Sequence, residues 1–201
     1  VEMDYRTVPR GAVYRIAPGD ISPDELDSML EADATPQWKA FGGSPRYISL
    51  DDSSAVNISS IHNERGKIYL DYGAQTSDQK YFRTALKEFN LALKYDPLNS
   101  KALSNKGHCQ FYFGQREKGL ELMREALKLD PLDPQLHEAL ATVLFRQQTQ
   151  KSISEAVALW TTAFALDPYN SRALQNIAGA LVALGQRDAA IQYYEAASNL
   201  D

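Results

Sequence analysis

The side chains that could ligate a metal, pass a proton or act as a nucleophile are three histidines, one cysteine and 26 carboxylates. His62, His108 and His137 stand far apart, and none lies one helical turn from another histidine or from Cys109. His108 and Cys109 are adjacent; on a helix of 3.6 residues per turn they point about 100° apart and cannot readily share a metal. The histidines therefore read as surface or packing residues. The chain has no glycine-rich phosphate loop, no nucleophile elbow and no zinc-protease helix motif. Glu117, Glu121 and Glu125 form an i, i+4 stripe beside Lys118 and Arg124, the pattern of a solvated helix face. No catalytic residue, metal or other cofactor is expected.

Charge narrows the partners. Residues 1–57 hold ten acids and five bases, and residues 58–201 hold sixteen of each. The body of the chain thus has no basic field to draw nucleic acid or anionic lipid. No run approaches the ~20 apolar residues of a membrane helix. No apolar leader opens the chain, although a first residue of valine leaves a removed leader open. A lone cysteine forms no internal disulfide. The compartment stays open, with a soluble, cytoplasmic chain expected rather than a periplasmic or secreted one.

The elements that position these side chains are announced by a repeat. Ala92-Leu93-Lys94-Tyr95-Asp96-Pro97 returns 34 residues later as Ala126–Pro131 and 37 residues after that as Ala163–Pro168. A fourth copy starts at Ala197 and reaches Asp201, one residue before its proline is due. Small residues keep the same spacing in the rows Gly73/Gly107/Ala141/Ala178, Ala85/Gly119/Ala156/Ala190 and Ala92/Ala126/Ala163/Ala197. Helix axes approach to ~8 Å only across small side chains, so these rows mark crossings. A bulky residue, Phe89, Met123, Trp160 or Tyr194, lies between the last two rows. Such side chains contribute roughly 1.5–3 kcal/mol each when buried.

Punctuation completes the unit. Pro97, Pro131 and Pro168 cannot continue a helix. Asn99, Asp133 and Asn170 follow two residues later as N-caps, with Pro134 at a first-turn position. Gly114-Gln115-Arg116-Glu117 and Gly185-Gln186-Arg187-Asp188 read as tight turns between two helices. Three extra residues fall between Ala141 and Ala156, and the polar stretch 147–154 is predicted to be a lengthened turn. A period of this size means stacked helix pairs.

The pattern resembles the tetratricopeptide repeat (TPR), over about residues 66–201. Tyr69, Gly73, Ala85, Phe89, Ala92 and Pro97 match the family motif in the first unit. Leu103, Gly107, Gly119, Met123, Ala126 and Pro131 match it in the second; His137, Ala141, Ala156, Trp160, Ala163 and Pro168 in the third. Leu174, Ala178, Ala190, Tyr194 and Ala197 match it in the fourth. The resemblance implies an all-α, right-handed superhelical solenoid of antiparallel helix pairs, with repeats at about 66–99, 100–133, 134–170 and 171–201 in a domain spanning 54–201.

It also implies a concave surface lined by the first helix of each pair, where peptides bind. The positions carried over are Lys67, Leu70, Ala74 and Ser77 in the first unit. They are Lys101, Ser104, His108 and Phe111 in the second; Gln135, Glu138, Thr142 and Phe145 in the third; Arg172, Gln175, Gly179 and Val182 in the fourth. Some members hold a C-terminal carboxylate with Lys and Asn at the two central positions. The pairs here, Leu70/Ala74, Ser104/His108, Glu138/Thr142 and Gln175/Gly179, cannot form that clamp. Phe111, Phe145 and Val182 among small polar groups suit an extended or helical segment with apolar anchors. Lys67, Lys101 and Arg172 would favour an acidic flank. Packing between first helices is the competing role for both phenylalanines.

Residues 1–53 are an acidic, proline-containing extension outside the period. Ser22-Pro23-Asp24-Glu25 predicts a capped short helix at about 23–32, inside a run, 20–33, of six acids and no base. It either caps the solenoid or docks in the groove. From Asp52 or Ser53 a longer helix is predicted, with Ile58, Ile61, Ile68 and Tyr72 on one face, running into the first helix of the first unit.

The expected function is a non-catalytic scaffold or adaptor for a protein or peptide partner. Two alternatives are a regulatory or substrate-selecting arm of a larger enzyme and a self-associating assembly module. The latter would work through the last helix pair, where no polar capping helix follows.

Overall fold

In a computed structural model of the chain, residues 52–200 are described, and all their regular structure is helical. The predicted helix at 23–32 and the acidic run lie outside the described residues. Eight helices follow one another: α1 (Asp52–Thr76), α2 (Gln79–Tyr95), α3 (Ser100–Tyr112), α4 (Arg116–Leu129), α5 (Pro134–Phe145), α6 (Gln150–Leu166), α7 (Ser171–Ala183) and α8 (Arg187–Ser198). They form four pairs, and the short turn inside each pair forces its helices antiparallel. Two compact units divide between Pro97 and Leu98. The first holds α1 and α2; the second holds α3 to α8.

Local chemistry sets the helix ends. The Ala102 N–H donates to Asn99 Oδ1 at 2.9 Å, the Gln135 N–H to Asp133 Oδ1 at 2.8 Å, and the Ala173 N–H to Asn170 Oδ1 at 3.0 Å. Each of the three predicted caps thus satisfies an amide that the helix leaves unpaired. Every turn within a pair contains one left-handed residue. Gly114 (φ 79°) and Gly185 (φ 78°) serve the second and fourth pairs, while Ser77 (φ 57°) and Gln148 (φ 55°) serve the first and third.

The three extra residues of the third unit lengthen a helix rather than a loop. Helix α6 starts at Gln150 and runs 17 residues, against 14 for α4. Thr149 caps it: its hydroxyl accepts the Ser152 N–H at 3.1 Å, and the Ser152 hydroxyl accepts the Thr149 N–H at 3.2 Å. Residues 150–154, predicted to be turn, form the first turn and a half of the helix, with Ser152 and Ile153 buried. Polar residues there serve the cap, not a loop.

Packing follows the rows. Ala85, Ala92, Ala126, Ala156, Ala163, Phe89, Met123 and Trp160 are all buried. The Gly107–Gly119 crossing of α3 and α4 is closer than alanine would permit: a Cβ on either would lie within 2.6 Å of the other's carbonyl oxygen. In the bulky row, Tyr194 departs from the pattern and is 47% exposed. Helix α7 packs against α6 over Trp160, whereas no described helix lies over α8.

Helix α1 buries a different face from the one its isoleucines suggest. Ser59, Asn63, Gly66, Tyr69 and Gly73 are buried, whereas Ile58, Ile61, Ile68 and Tyr72 are half-buried. The reason is close approach: a Cβ on Gly66 would meet the Phe89 ring at 2.5 Å, and Ser59 Oγ donates to the Ala92 carbonyl at 2.9 Å. Small residues take the contact line and the branched ones flank it.

Candidate functional site

The first helices α1, α3, α5 and α7 carry the predicted binding positions. In the first unit, Lys67, Ala74 and Ser77 are exposed and Leu70 is buried. Leu70 offers no open surface to a ligand, because the helix turns it into the core along with Tyr69.

In the second unit, Lys101 is exposed, Ser104 is buried, and His108 and Phe111 are half-buried. On α5, Gln135 is exposed, Glu138 is buried, and Thr142 and Phe145 are half-buried. On α7, Arg172, Gln175 and Val182 are exposed, with Gly179 half-buried. Ser104 and Glu138 are thus covered rather than presented.

The bases expected to favour an acidic flank are matched by the chain's own acids. Arg172 Nη2 donates to Glu138 Oε2 at 2.7 Å, and Asn170 Nδ2 donates to Glu138 Oε1. Lys101 Nζ lies 3.3 Å from Asp133 Oδ2. Two of the three cations, Lys101 and Arg172, thus each stand beside a carboxylate of the chain's own, which offsets part of the charge they would show an acidic flank. Burial makes Glu138 need both donors, since an unpaired buried carboxylate is costly.

Both phenylalanines pack into the protein as well as edging the surface. Phe145 lies with its ring centroid 5.7 Å from that of Trp160. The Arg116 guanidinium stands 5.8 Å from the Phe111 ring centroid. Both border the buried cluster containing Leu120, Met123, Leu140 and Trp160.

His108 belongs to a cluster that sequence reasoning missed. Its ring stacks on Tyr112 at 5.1 Å, and Arg146 lies over the other aromatic, 5.2 Å from the Tyr112 centroid, donating to its hydroxyl. His108 Nε2 is covered and has no hydrogen-bond partner. Burial, and after it the Arg146 charge, lower the pKa of His108 from 6.5 to about 4, so the ring is neutral. His137 is buried at its packing position, and its Nε2–H donates to the Pro131 carbonyl at 2.9 Å. Burial raises the Cys109 thiol to about 12, which makes it inert.

The signal for the missed partners was the period itself. Tyr112 and Arg146 are 34 residues apart, as are Glu138 and Arg172. Stacked units place such residues side by side. No group of three or more His, Cys, Asp or Glu is gathered among the described residues, and no described helix is long and apolar enough to cross a membrane.

These features define a class, the helical-hairpin repeat proteins, in which first helices from successive pairs share a face and cross-link it one period apart. The chain belongs to the tetratricopeptide repeat family: the family's model, Tetratricopeptide repeat, matches residues 70–200. It is similar in fold to a crystal structure of MamA, with a TM-score of 0.61 at 18% identity over 88% of this chain and 89% of that one. A second MamA structure, residues 41 to the end from Desulfovibrio magneticus RS-1, gives 0.58 at 16% identity over 89% and 85%. At such identities the likeness is one of fold alone. A stretch of 61 residues, 30% of the chain, is 41% identical to the Protein CTR9 homolog of Arabidopsis thaliana and spans 6% of that protein.

Proposed function

We propose that this chain is a non-catalytic protein-interaction module that holds a segment of a partner protein on the first-helix face of residues 98–201. The observation that carries this reading is the state of that face. Its ion pairs Lys101–Asp133 and Arg172–Glu138 are closed within the chain, leaving Gln175, Val182 and the edges of Phe111 and Phe145 open to contact. Such a surface takes an extended or helical segment with apolar anchors, held by shape and a few hydrogen bonds. Charge contributes little, so affinity should depend weakly on salt.

The test is affinity capture with the immobilised 201-residue chain at low and high salt, beside Val182→Glu and the second-helix control Lys128→Glu. A partner retained at high salt, lost with Val182→Glu and kept by Lys128→Glu supports the reading. Equal recovery by Val182→Glu, or release by salt alone, refutes it.

A further inference from the structure

The sixteen acids and sixteen bases of residues 58–201 balance in sum but not in place. Helix α2 buries Tyr81, Phe82, Ala85, Glu88, Phe89 and Ala92, and its opposite side is exposed. On a helix of 3.6 residues per turn, Lys80, Arg83, Lys87 and Lys94 fall within about 60° of one another on that side, along about 21 Å of axis. The helix has one carboxylate, Glu88, and it is engaged inward: Glu88 Oε2 stands 2.8 Å from His62 Nδ1, and Oε1 3.4 Å from Arg65 Nη2. Lys80 Nζ lies 3.8 Å from the N-cap Asp78, and no ion pair among the described residues uses Arg83, Lys87 or Lys94. The repeat does not require this sign of charge. One period later Arg83 and Lys87 become Glu117 and Glu121, which are equally exposed.

The chain carries the complement of this stripe. Segment 20–33 holds six acids and no base, and Asp24, Asp27 and Glu31 repeat the i, i+3, i+7 spacing of Lys80, Arg83 and Lys87. We propose that the outer face of α2 is a docking stripe for this segment of the same chain, with Asp24, Asp27 and Glu31 set in parallel register against Lys80, Arg83 and Lys87. Reach is sufficient. Residues 34–51 span up to about 60 Å when extended, and α1, which leads from them into the hairpin with α2, is only about 37 Å long. Each exposed ion pair is weak alone. Tethering sets the effective concentration of the segment in the millimolar range, where three weak pairs together hold it. The contact is an electrostatic latch, which salt opens. It puts the segment along the side of α2 rather than at the end of the array or in the groove. The stripe belongs to a second helix and the proposed partner surface to first helices, so the two readings stand or fall apart.

Carbodiimide, which joins a carboxylate to an amine in direct contact, tests this on the 201-residue chain. Peptide mass spectrometry should find Asp24 linked to Lys80 and Glu31 linked to Lys87, at yields independent of protein concentration. High salt should lower both yields at least about threefold. Arg83→Glu should do the same although Arg83 takes no part in either link, and adding Asp27→Lys to it should restore both. The fold tolerates glutamate there, since the next repeat carries Glu117 at that position. Lys128→Glu should leave the yields unchanged. Absence of these links, equal linking of the segment to Lys118 and Lys128, or yields that Arg83→Glu does not lower would overturn the proposal. So would links formed only between light and heavy chains in an isotope mixture, which make a second copy the occupant. Arg83-dependent binding to phosphatidylserine vesicles, equally strong with and without residues 1–50, would assign the stripe to a membrane surface and overturn it too.

Discussion

Replacing Gly119 with alanine sets two effects of known sign against each other. Alanine in a helix interior is favoured over glycine by about 1 kcal/mol. The new Cβ, however, would stand 2.5 Å from the Gly107 carbonyl oxygen and 2.9 Å from the Phe111 nitrogen. Both neighbours are backbone atoms and cannot rotate away. Ordinary contact begins near 3.4 Å, so α3 and α4 must separate by about 0.9 Å along that line. A gap of that size forfeits roughly a quarter to a half of each dispersion contact around it, and the side chains of Met123 and Leu122 lie against this crossing. Overpacking of this kind costs about 1–3 kcal/mol, with backbone displacement toward the upper end. The net expectation is a loss of about 1–2 kcal/mol, or roughly 2–8 °C in Tm for a chain of this size. Gly179→Ala is the matched control: its Cβ would have only the Tyr194 hydroxyl nearby, at 3.9 Å, so the same exchange should stabilise. Urea unfolding followed by circular dichroism at 222 nm reads both through the midpoint at constant slope. A Gly119→Ala midpoint at or above that of the parent would refute the close-approach argument.

Three further outcomes follow from the structure. Gly114→Ala should destabilise by about 1 kcal/mol through its left-handed φ alone, since its Cβ would meet nothing, whereas Gln148→Gly should relieve a similar strain; urea midpoints check both. His108 is neutral in the fold with a pKa near 4 against 6.5 when unfolded, so unfolded chains take up its proton first and the stability it contributes is whole above about pH 6.5 and lost on the way down to about pH 4. That loss is on the order of 2–3 kcal/mol, and His108→Phe should flatten the stability profile across the window, measured as midpoint against pH. Glu138→Ala should cost about 1–3 kcal/mol by stranding Asn170 and removing a buried acceptor. Arg172→Ala should cost under about 1 kcal/mol because that arginine is largely solvated; equal losses in thermal melts would contradict this asymmetry.

What the sequence made legible was whatever recurs. Alanines at 85, 92, 126, 156 and 163 and the caps at 99, 133 and 170 sit where the period places them, because each unit solves the same packing problem. Ser77 and Gln148 escaped notice because a left-handed turn residue announces itself only when it is glycine. The extension of α6 has the look of a loop in the sequence, since a Thr-Ser capping pair has the composition of a turn. On the candidate face, the fate of Leu70, Ser104 and Glu138 depended on the depth of each helix in its neighbours, which a residue pattern does not encode. The pairing of Arg172 with Glu138 spans a whole period and becomes visible only once the units are stacked.

Cys109 and Trp160 give the chain two native reporters in different repeats. The thiol is the chain's sole cysteine, fully covered in the second pair, and Trp160 is the sole indole among the described residues, sealed between the third pair and the fourth. A maleimide or disulfide dye can reach the sulfur only when α3 comes loose, while the emission maximum of the indole moves to the red when α7 lifts away. With Trp38 changed to phenylalanine, the two clocks run independently in one sample. Whether they keep the same time is then a direct measure of how tightly neighbouring repeats are bound to unfold together.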